Sequence, residues 1–189
     1  KSNGIGSIYD LGLTLNNSYN WGIDLCPSLA LSADTTAPVV LGVTSDTSNG
    51  LYGLGGAIDI RVSFSEPVIV TGTPQITLET GAIDPVVNYV SGSGTNTLVF
   101  NYTVAAGQGS ADLDYVASSS LVLNGGTIRD PSSNNAVLTL PSPGATGSLR
   151  ANKDLVIDTV QPTVTSITST RPNGTYEVDD IIDVRVAFS

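Results

Sequence analysis

From residue 39 onward, apolar and polar residues alternate in short runs broken by glycine, proline and asparagine. Ile58, Ile60, Val62 and Phe64 alternate with Asp59, Arg61 and Ser63. Residues two apart on an extended backbone share a face, so this run predicts a strand with one side buried. Asp59 and Arg61 are expected to face water, and Glu66-Pro67 to end the strand. Leu98, Phe100, Tyr102 and Val104 alternate in the same way with Val99, Asn101 and Thr103, and predict a central strand. Shorter strands are predicted over 39–45, over 75–80 with Ile76 and Leu78 on one face, and over 86–90, 121–123, 127–129, 136–140 and 155–157. Turn chemistry separates them at Asn49-Gly50, Gly53 to Gly56, Thr71-Gly72-Thr73-Pro74, Ser91-Gly92-Ser93-Gly94 and Asn124-Gly125-Gly126.

The pattern occurs twice. Residues 34–65 align without a gap to residues 158–189, 124 positions further on, and 15 of the 32 pairs are identical. Among them are Asp34/Asp158, Pro38/Pro162, Asn49-Gly50/Asn173-Gly174, Tyr52/Tyr176, Asp59/Asp183, Arg61/Arg185 and Phe64-Ser65/Phe188-Ser189. A long fixed period marks tandem domains, and a unit of about 124 residues is of ordinary domain size. The chain is thus expected to hold a complete repeat over 34–157 and the first strands of the next over 158–189. Residues 1–33 read as the tail of a diverged preceding repeat or as the end of an unrelated domain bearing Trp21 and Cys26. About eight or nine short strands at near-regular spacing predict an all-β fold, a two-sheet Greek-key β-sandwich of immunoglobulin-like architecture. The Cys-Trp-Cys core of antibody domains is absent.

Composition agrees with an all-β chain and narrows the function classes. Seventeen acids against seven bases give a net charge of −10, which repels a phosphate backbone and an anionic membrane surface. Nucleic acid is therefore not an expected partner. Cys26 is the single cysteine, which rules out an intrachain disulfide and a cysteine-based zinc cluster. The chain has no histidine, so no Ser-His-Asp or Cys-His arrangement can be built from it. Paired carboxylates for glycoside hydrolysis would have to come from Glu66 or Glu79 against Asp112 or Asp114, and these read better as solvated acids. A non-enzymatic role is expected. No apolar run is long enough to span a bilayer, so no membrane insertion is expected here, and Lys1-Ser2-Asn3-Gly4 does not read as a signal peptide. A secretion signal, if there is one, lies outside these residues.

The acids offer one further chemistry. Ca²⁺ takes six to eight oxygen ligands, which carboxylates from several loops at one end of a sandwich can supply. Asp34 and Asp158 open the two repeats, Glu66 closes a strand, and Asp112 and Asp114 share a face. Asp130 and Asp154 precede the second junction. The alternative is that Asp34 and Asp158 cap turns through their own backbone while the others are surface acids.

The run of motifs resembles the immunoglobulin-like, cadherin-like tandem repeats of large bacterial surface and secreted adhesin-type proteins. It comprises the Asp-Thr-x-x-Pro opening, Asn-Gly-x-Tyr, Ile-Asp-[Ile/Val]-Arg-Val-x-Phe-Ser, Leu78-Glu79-Thr80-Gly81, Asp112-Leu113-Asp114-Tyr115 and Leu123-Asn124-Gly125-Gly126-Thr127-Ile128, closing on Ile157-Asp158. The resemblance implies an extracellular or cell-surface stalk or filament module in adhesion or biofilm, packed against neighbouring repeats of the same chain. It also implies Ca²⁺ at the junctions, with Asp34, Glu66, Asp112, Asp114 and Asp158 as ligands, although the cadherin Asn-Asp-Asn linker run is missing. Two alternatives stay open. One is a fibre subunit that self-associates by strand donation between chains. The other is a module that binds a cell-surface glycan or protein, for which Tyr9, Tyr19 and Trp21 are the clustered aromatics.

Overall fold

The computed structural model describes residues 33–189, and the readings that fall on residues 1–32 lie outside the described residues. The unit Asp34–Ser189 is all-β. In chain order its strands are β1 Val40–Thr44, β2 Gly50–Tyr52, β3 Ala57–Thr71, β4 Gln75–Glu79, β5 Val86–Ser91, β6 Thr95–Thr103, β7 Gly109–Ser110, β8 Asp114–Tyr115, β9 Leu121–Val122 and β10 Thr127–Arg129. A one-turn helix, α1 Leu149–Asn152, precedes β11 Leu155–Asp158, β12 Val164–Thr168 and β13 Arg185–Phe188. Among these residues no helix is long and apolar enough to cross a membrane.

The main sheet runs in the order β1-β3-β6-β5-β4-β8, with β10 added to β3 and β9 to β4. All of its pairings are antiparallel. A second sheet has the order β2-β11-β7, with β11 parallel to β2 and antiparallel to β7. β12 and β13 form a separate two-stranded ladder.

Alternation places the core as the sequence predicts. Ile58, Ile60, Val62 and Phe64 on β3 and Leu98, Phe100 and Tyr102 on β6 are all buried, and β6 lies between β3 and β5. Leu155 and Ile157 of β11 join the same apolar cluster, so one core serves both sheets. Tyr89 meets Phe100 edge to face with ring centres 6.1 Å apart, the arrangement that aromatic quadrupoles favour. The buried Tyr102 hydroxyl donates to Gln108 Oε1 at 2.8 Å and that of Tyr115 to the Pro141 carbonyl at 2.6 Å, so neither is left unpaired in the interior. Burial pushes the Tyr102 hydroxyl up to about 12. The β5–β6 turn requires glycine at position 92: its φ is 108°, and a Cβ there would lie 2.0 Å from the Thr97 carbonyl oxygen.

Three expectations are corrected. The strand does not end at Glu66-Pro67, because β3 continues to Thr71 and changes partner there. Its pairing with β6 slips between Ser63 and Val68, and Ile69 to Thr71 then pair with β10. Proline, lacking an N–H, sits where the ladder is interrupted. Residues 136–140 form no strand, since their backbone is shared among three neighbours. Ala136 donates to Ile128, Val137 to Pro38 and Leu140 to Ser118, so no continuous ladder can form. Finally, Asp59 and Arg61 do lie on the outer face of β3 but are drawn into a hydrogen-bonded cluster, with side chains only 20 % and 34 % exposed.

Because β6 supplies the centre of the sheet, Phe100→Ala is expected to cost about 3–5 kcal/mol in urea denaturation. Phe188→Ala, at a position 62 % exposed, is expected to cost no more than about 0.5 kcal/mol.

Candidate functional site

Among the described residues one group of three carboxylates, those of Asp34, Glu66 and Asp130, comes within 4.8 Å. Each arrives from a different element, and each is fixed through β3. Glu66 lies on β3 at the interruption before Pro67. Asp130 follows β10, whose Arg129 is paired with Ile69. Asp34 is brought in by the segment whose Val39 N–H donates to Ser65 Oγ at 3.1 Å, with Ser65 N–H returning a bond to the Val39 carbonyl at 2.9 Å. Asn134 ties the group together. Its Nδ2 donates to Asp130 Oδ2 at 2.7 Å and to the Asp34 carbonyl at 3.0 Å, while its backbone N–H donates to Asp130 Oδ1 at 2.8 Å.

Asp130 is buried, Glu66 half-buried and Asp34 exposed. Burial, and then the like charges of Asp34 and Asp130, push the Glu66 carboxyl above its ordinary range. Three hard oxygen donors that repel one another suit a divalent cation such as Ca²⁺. All three stand among the acids that the sequence offers for Ca²⁺, but the resemblance names only Asp34 and Glu66 as ligands, and Asp130 joins them through the β3–β10 pairing.

The other three candidate ligands, Asp112, Asp114 and Asp158, lie elsewhere. Asp112 and Asp114 line a cleft of about 280 Å³ together with Glu79, Tyr115, Gly144 and Arg150. Asp114 is buried and accepts from the backbone N–H groups of Tyr115 at 3.0 Å and Gly144 at 2.8 Å. Asp112 lies 3.5 Å from Arg150 Nε and accepts from Leu155 N–H at 3.4 Å. Burial pushes the Asp112 carboxyl up, against the pull of the Leu155 N–H and of Arg150. Both acids thus serve local structure. Asp158 caps its own turn, its Oδ1 accepting from Val160 N–H at 2.8 Å, and Asp34 does the same with Thr36 N–H at 2.9 Å. The turn-capping alternative is therefore realised at both repeat starts, and at Asp34 it coexists with the carboxylate group.

A further cluster was not foreseen from the sequence. Five donors converge on the Asp59 carboxylate. Oδ1 accepts from Ser45 Oγ at 3.0 Å, Thr47 N–H at 2.8 Å and Thr47 Oγ1 at 2.6 Å, and Oδ2 from Arg61 Nε at 2.6 Å and Asp46 N–H at 3.2 Å. The Arg61 guanidinium also pairs with Asp46 at 2.5 Å. Burial alone would push the Asp59 carboxyl up, but the bonds from Thr47, Arg61, Asp46 and Ser45 outweigh it and hold the pKa well below the usual carboxylate range.

The clamp recurs in the second copy. Asp183 accepts from Ser169 Oγ at 3.1 Å, Thr170 Oγ1 at 2.7 Å and Arg185 Nε at 3.0 Å, and the bond from Thr170 leads in lowering its pKa. The Tyr52 and Tyr176 hydroxyls donate to the carbonyls of Ser48 and Pro172, again at equivalent positions. The signal for all of this lay in the identities between the two copies.

No family model matches the chain, and comparison with curated proteins and with solved structures likewise gives no match.

Asp59→Asn is expected to lower stability by about 1–3 kcal/mol at pH 7, as loss of hydrogen bonds to a charged group does. The folded-state pKa is depressed below the unfolded value of about 3.9, so the ionised clamp contributes fully above that pH and is lost as pH falls through the folded pKa. Urea denaturation of parent and variant between pH 7 and pH 2 should show the gap narrowing on acidification. A constant gap would remove the clamp from the stability account.

Proposed function

We propose that this chain is a non-enzymatic, extracellular structural module of a bacterial surface stalk or filament, built from immunoglobulin-like Greek-key sandwiches in tandem and stiffened by Ca²⁺ bound at Asp34, Glu66 and Asp130. What carries the reading is that the repeat exists in space as well as in sequence. β1 pairs with β3 through Val40/Phe64, Gly42/Ser63, Val43/Val62 and Thr44/Arg61. β12 pairs with β13 through Val164/Phe188, Ser166/Ala187, Ile167/Val186 and Thr168/Arg185, with the irregularity at the same step. Modules of one kind joined end to end touch only their neighbours and give the quasi-linear array a stalk needs.

The carboxylate group supports the calcium component by its chemistry and its place. It gathers the residue that opens the repeat, the residue beside the β3 interruption and the residue after β10. A cation there neutralises three like charges and ties the entering chain to the body of the module. Water or a neighbouring module completes its six to eight ligands. The scattered acids and net charge of −10 suit a solvated surface outside the cell.

Calcium at about a hundredfold excess over its dissociation constant is expected to raise the melting temperature by about 5–10 °C, reversed by chelator. Glu66→Gln should abolish that rise while leaving the melting temperature in chelator nearly unchanged, and Asp112→Asn should leave the rise intact. An equal calcium response in Glu66→Gln, or none in the parent chain, would overturn the calcium assignment.

A further inference from the structure

The chain leaves the first repeat over a turn that holds it. β11 pairs with β7 through Ile157 opposite Ser110 and Asp158 opposite Gly109, so Thr159 arrives beside Gln108, one step past the last ladder pair. There its side chain takes over from the ladder. Thr159 Oγ1 donates to the Gln108 carbonyl at 2.7 Å and accepts from Gly107 N–H at 3.1 Å. The next N–H along, that of Val160, donates to Asp158 Oδ1 at 2.8 Å. The turn itself is fixed from the core. Gln108 is buried, and its Oε1 accepts from the Tyr102 hydroxyl at 2.8 Å and from Ala105 N–H at 2.7 Å. Gly109 N–H donates to the Thr80 carbonyl at 3.0 Å. Gly107 has a φ of 82°, which favours glycine, and a Cβ there would lie 3.2 Å from Ile83 Cδ1. A receptor ordered in advance holds its partner at low ordering cost.

The same linker occurs at two places, as Asp34-Thr35-x-x-Pro38 and as Asp158-Thr159-x-x-Pro162. At its first occurrence the repeat that follows holds the aspartate: the Asp34 carbonyl accepts from Asn134 Nδ2 at 3.0 Å, and the Asp34 carboxylate joins those of Glu66 and Asp130. At its second occurrence the repeat that precedes holds the threonine. Aspartate and threonine are therefore gripped from different modules.

We propose that the turn at 105–109 is the socket by which each module grips the linker to the next, that the linker threonine is its partner, and that this contact fixes the direction of exit without a cation. The site has to receive one hydrogen bond and give another at a single small atom. A threonine or serine hydroxyl does both, whereas valine, of the same shape as threonine, does neither. Thr35 is identical to Thr159, and it takes the same part against the turn of a module before it. The inference rests on the reading of the chain as tandem modules of one kind. It adds a metal-independent contact, made by the preceding module at the residue next to the linker aspartate.

The test uses the full chain in chelator. Cys26→Ser removes the native thiol, and Asn96→Cys with Gln161→Cys, both at exposed positions, supply sites for two nitroxide labels. Pulsed electron resonance then reads the distribution of distances between β6 and the linker. A narrow distribution is expected in this labelled chain and with Thr159→Ser added. Thr159→Val should lose the narrow distribution and quicken amide exchange at Gly107, while the module still unfolds cooperatively. A broad distribution before Thr159 is changed, a narrow one kept by Thr159→Val, or a serine variant as broad as the valine variant would overturn the proposal. A broad distribution in the labelled chain alongside calcium-dependent melting would remove the socket alone. A narrow one lost in Thr159→Val, with no calcium response, would keep the socket and remove the calcium assignment.

Discussion

The carboxylate of Asp59 fixes the geometry from which the module is built. By accepting from the 45–47 loop on both oxygens and from Arg61 on one of them, it ties the end of β1 to β3. In a sheet with one buried face the apolar pattern itself specifies the register, because a slip of one residue exchanges the buried and exposed sets, and the polar clamp on the outer face reinforces the same pairing. Ionised, the clamp adds to stability chiefly above the ordinary carboxylate range of pH. Apolar burial supplies the larger driving force.

β3 then passes this order to the rest of the module. Its first part pairs with β1 and β6, and after the interruption at Pro67 its last part pairs with β10. Glu66 lies at that interruption, half-buried between the buried Phe64 and Val68. Asp34 and Asp130 are each tethered to β3 within a few residues of Glu66, the first through Ser65 and the second through Ile69. The carboxylate group is therefore a consequence of how one long strand changes partners. Burial and then the like charges of Asp34 and Asp130 raise the Glu66 carboxyl, and a bound cation would relieve the second of these.

The sequence made the alternating strands and the repeat legible because both are local patterns. Periodicity over four positions suffices for β3 and β6, and the identities at Asp59, Arg61, Tyr52 and Ser65 marked residues whose roles are hydrogen bonds across the hairpin. What stayed hidden depends on neighbours far away in the chain. Residues 136–140 carry a strand-like pattern but meet three different partners. Asp112 and Asp114 do line one cleft, as their spacing suggests, yet backbone N–H groups and Arg150 engage them there, away from Asp34 and Glu66. Asp130 reaches those two only through a pairing between β3 and β10, and no spacing rule predicts which strand lies beside which.

The differences between the two copies locate what the repeat must keep. Asp59 and Asp183 are the same, but the donor hydroxyl moves from Thr47 to Thr170, which is the counterpart of Asp46. The acceptor and its Ser45/Ser169 and Arg61/Arg185 donors are held constant while one hydroxyl donor shifts by a residue, as expected where either nearby threonine can satisfy the same carboxylate. Gly42 shows the opposite case. In the first copy a Cβ there would approach the Gly147 carbonyl oxygen to 3.0 Å, while Val43 N–H donates to that same oxygen at 2.8 Å. The counterpart of Gly42 is Ser166, whose Cβ would crowd an oxygen so placed. The hairpin is common to both copies, and the close contact at glycine belongs to the first.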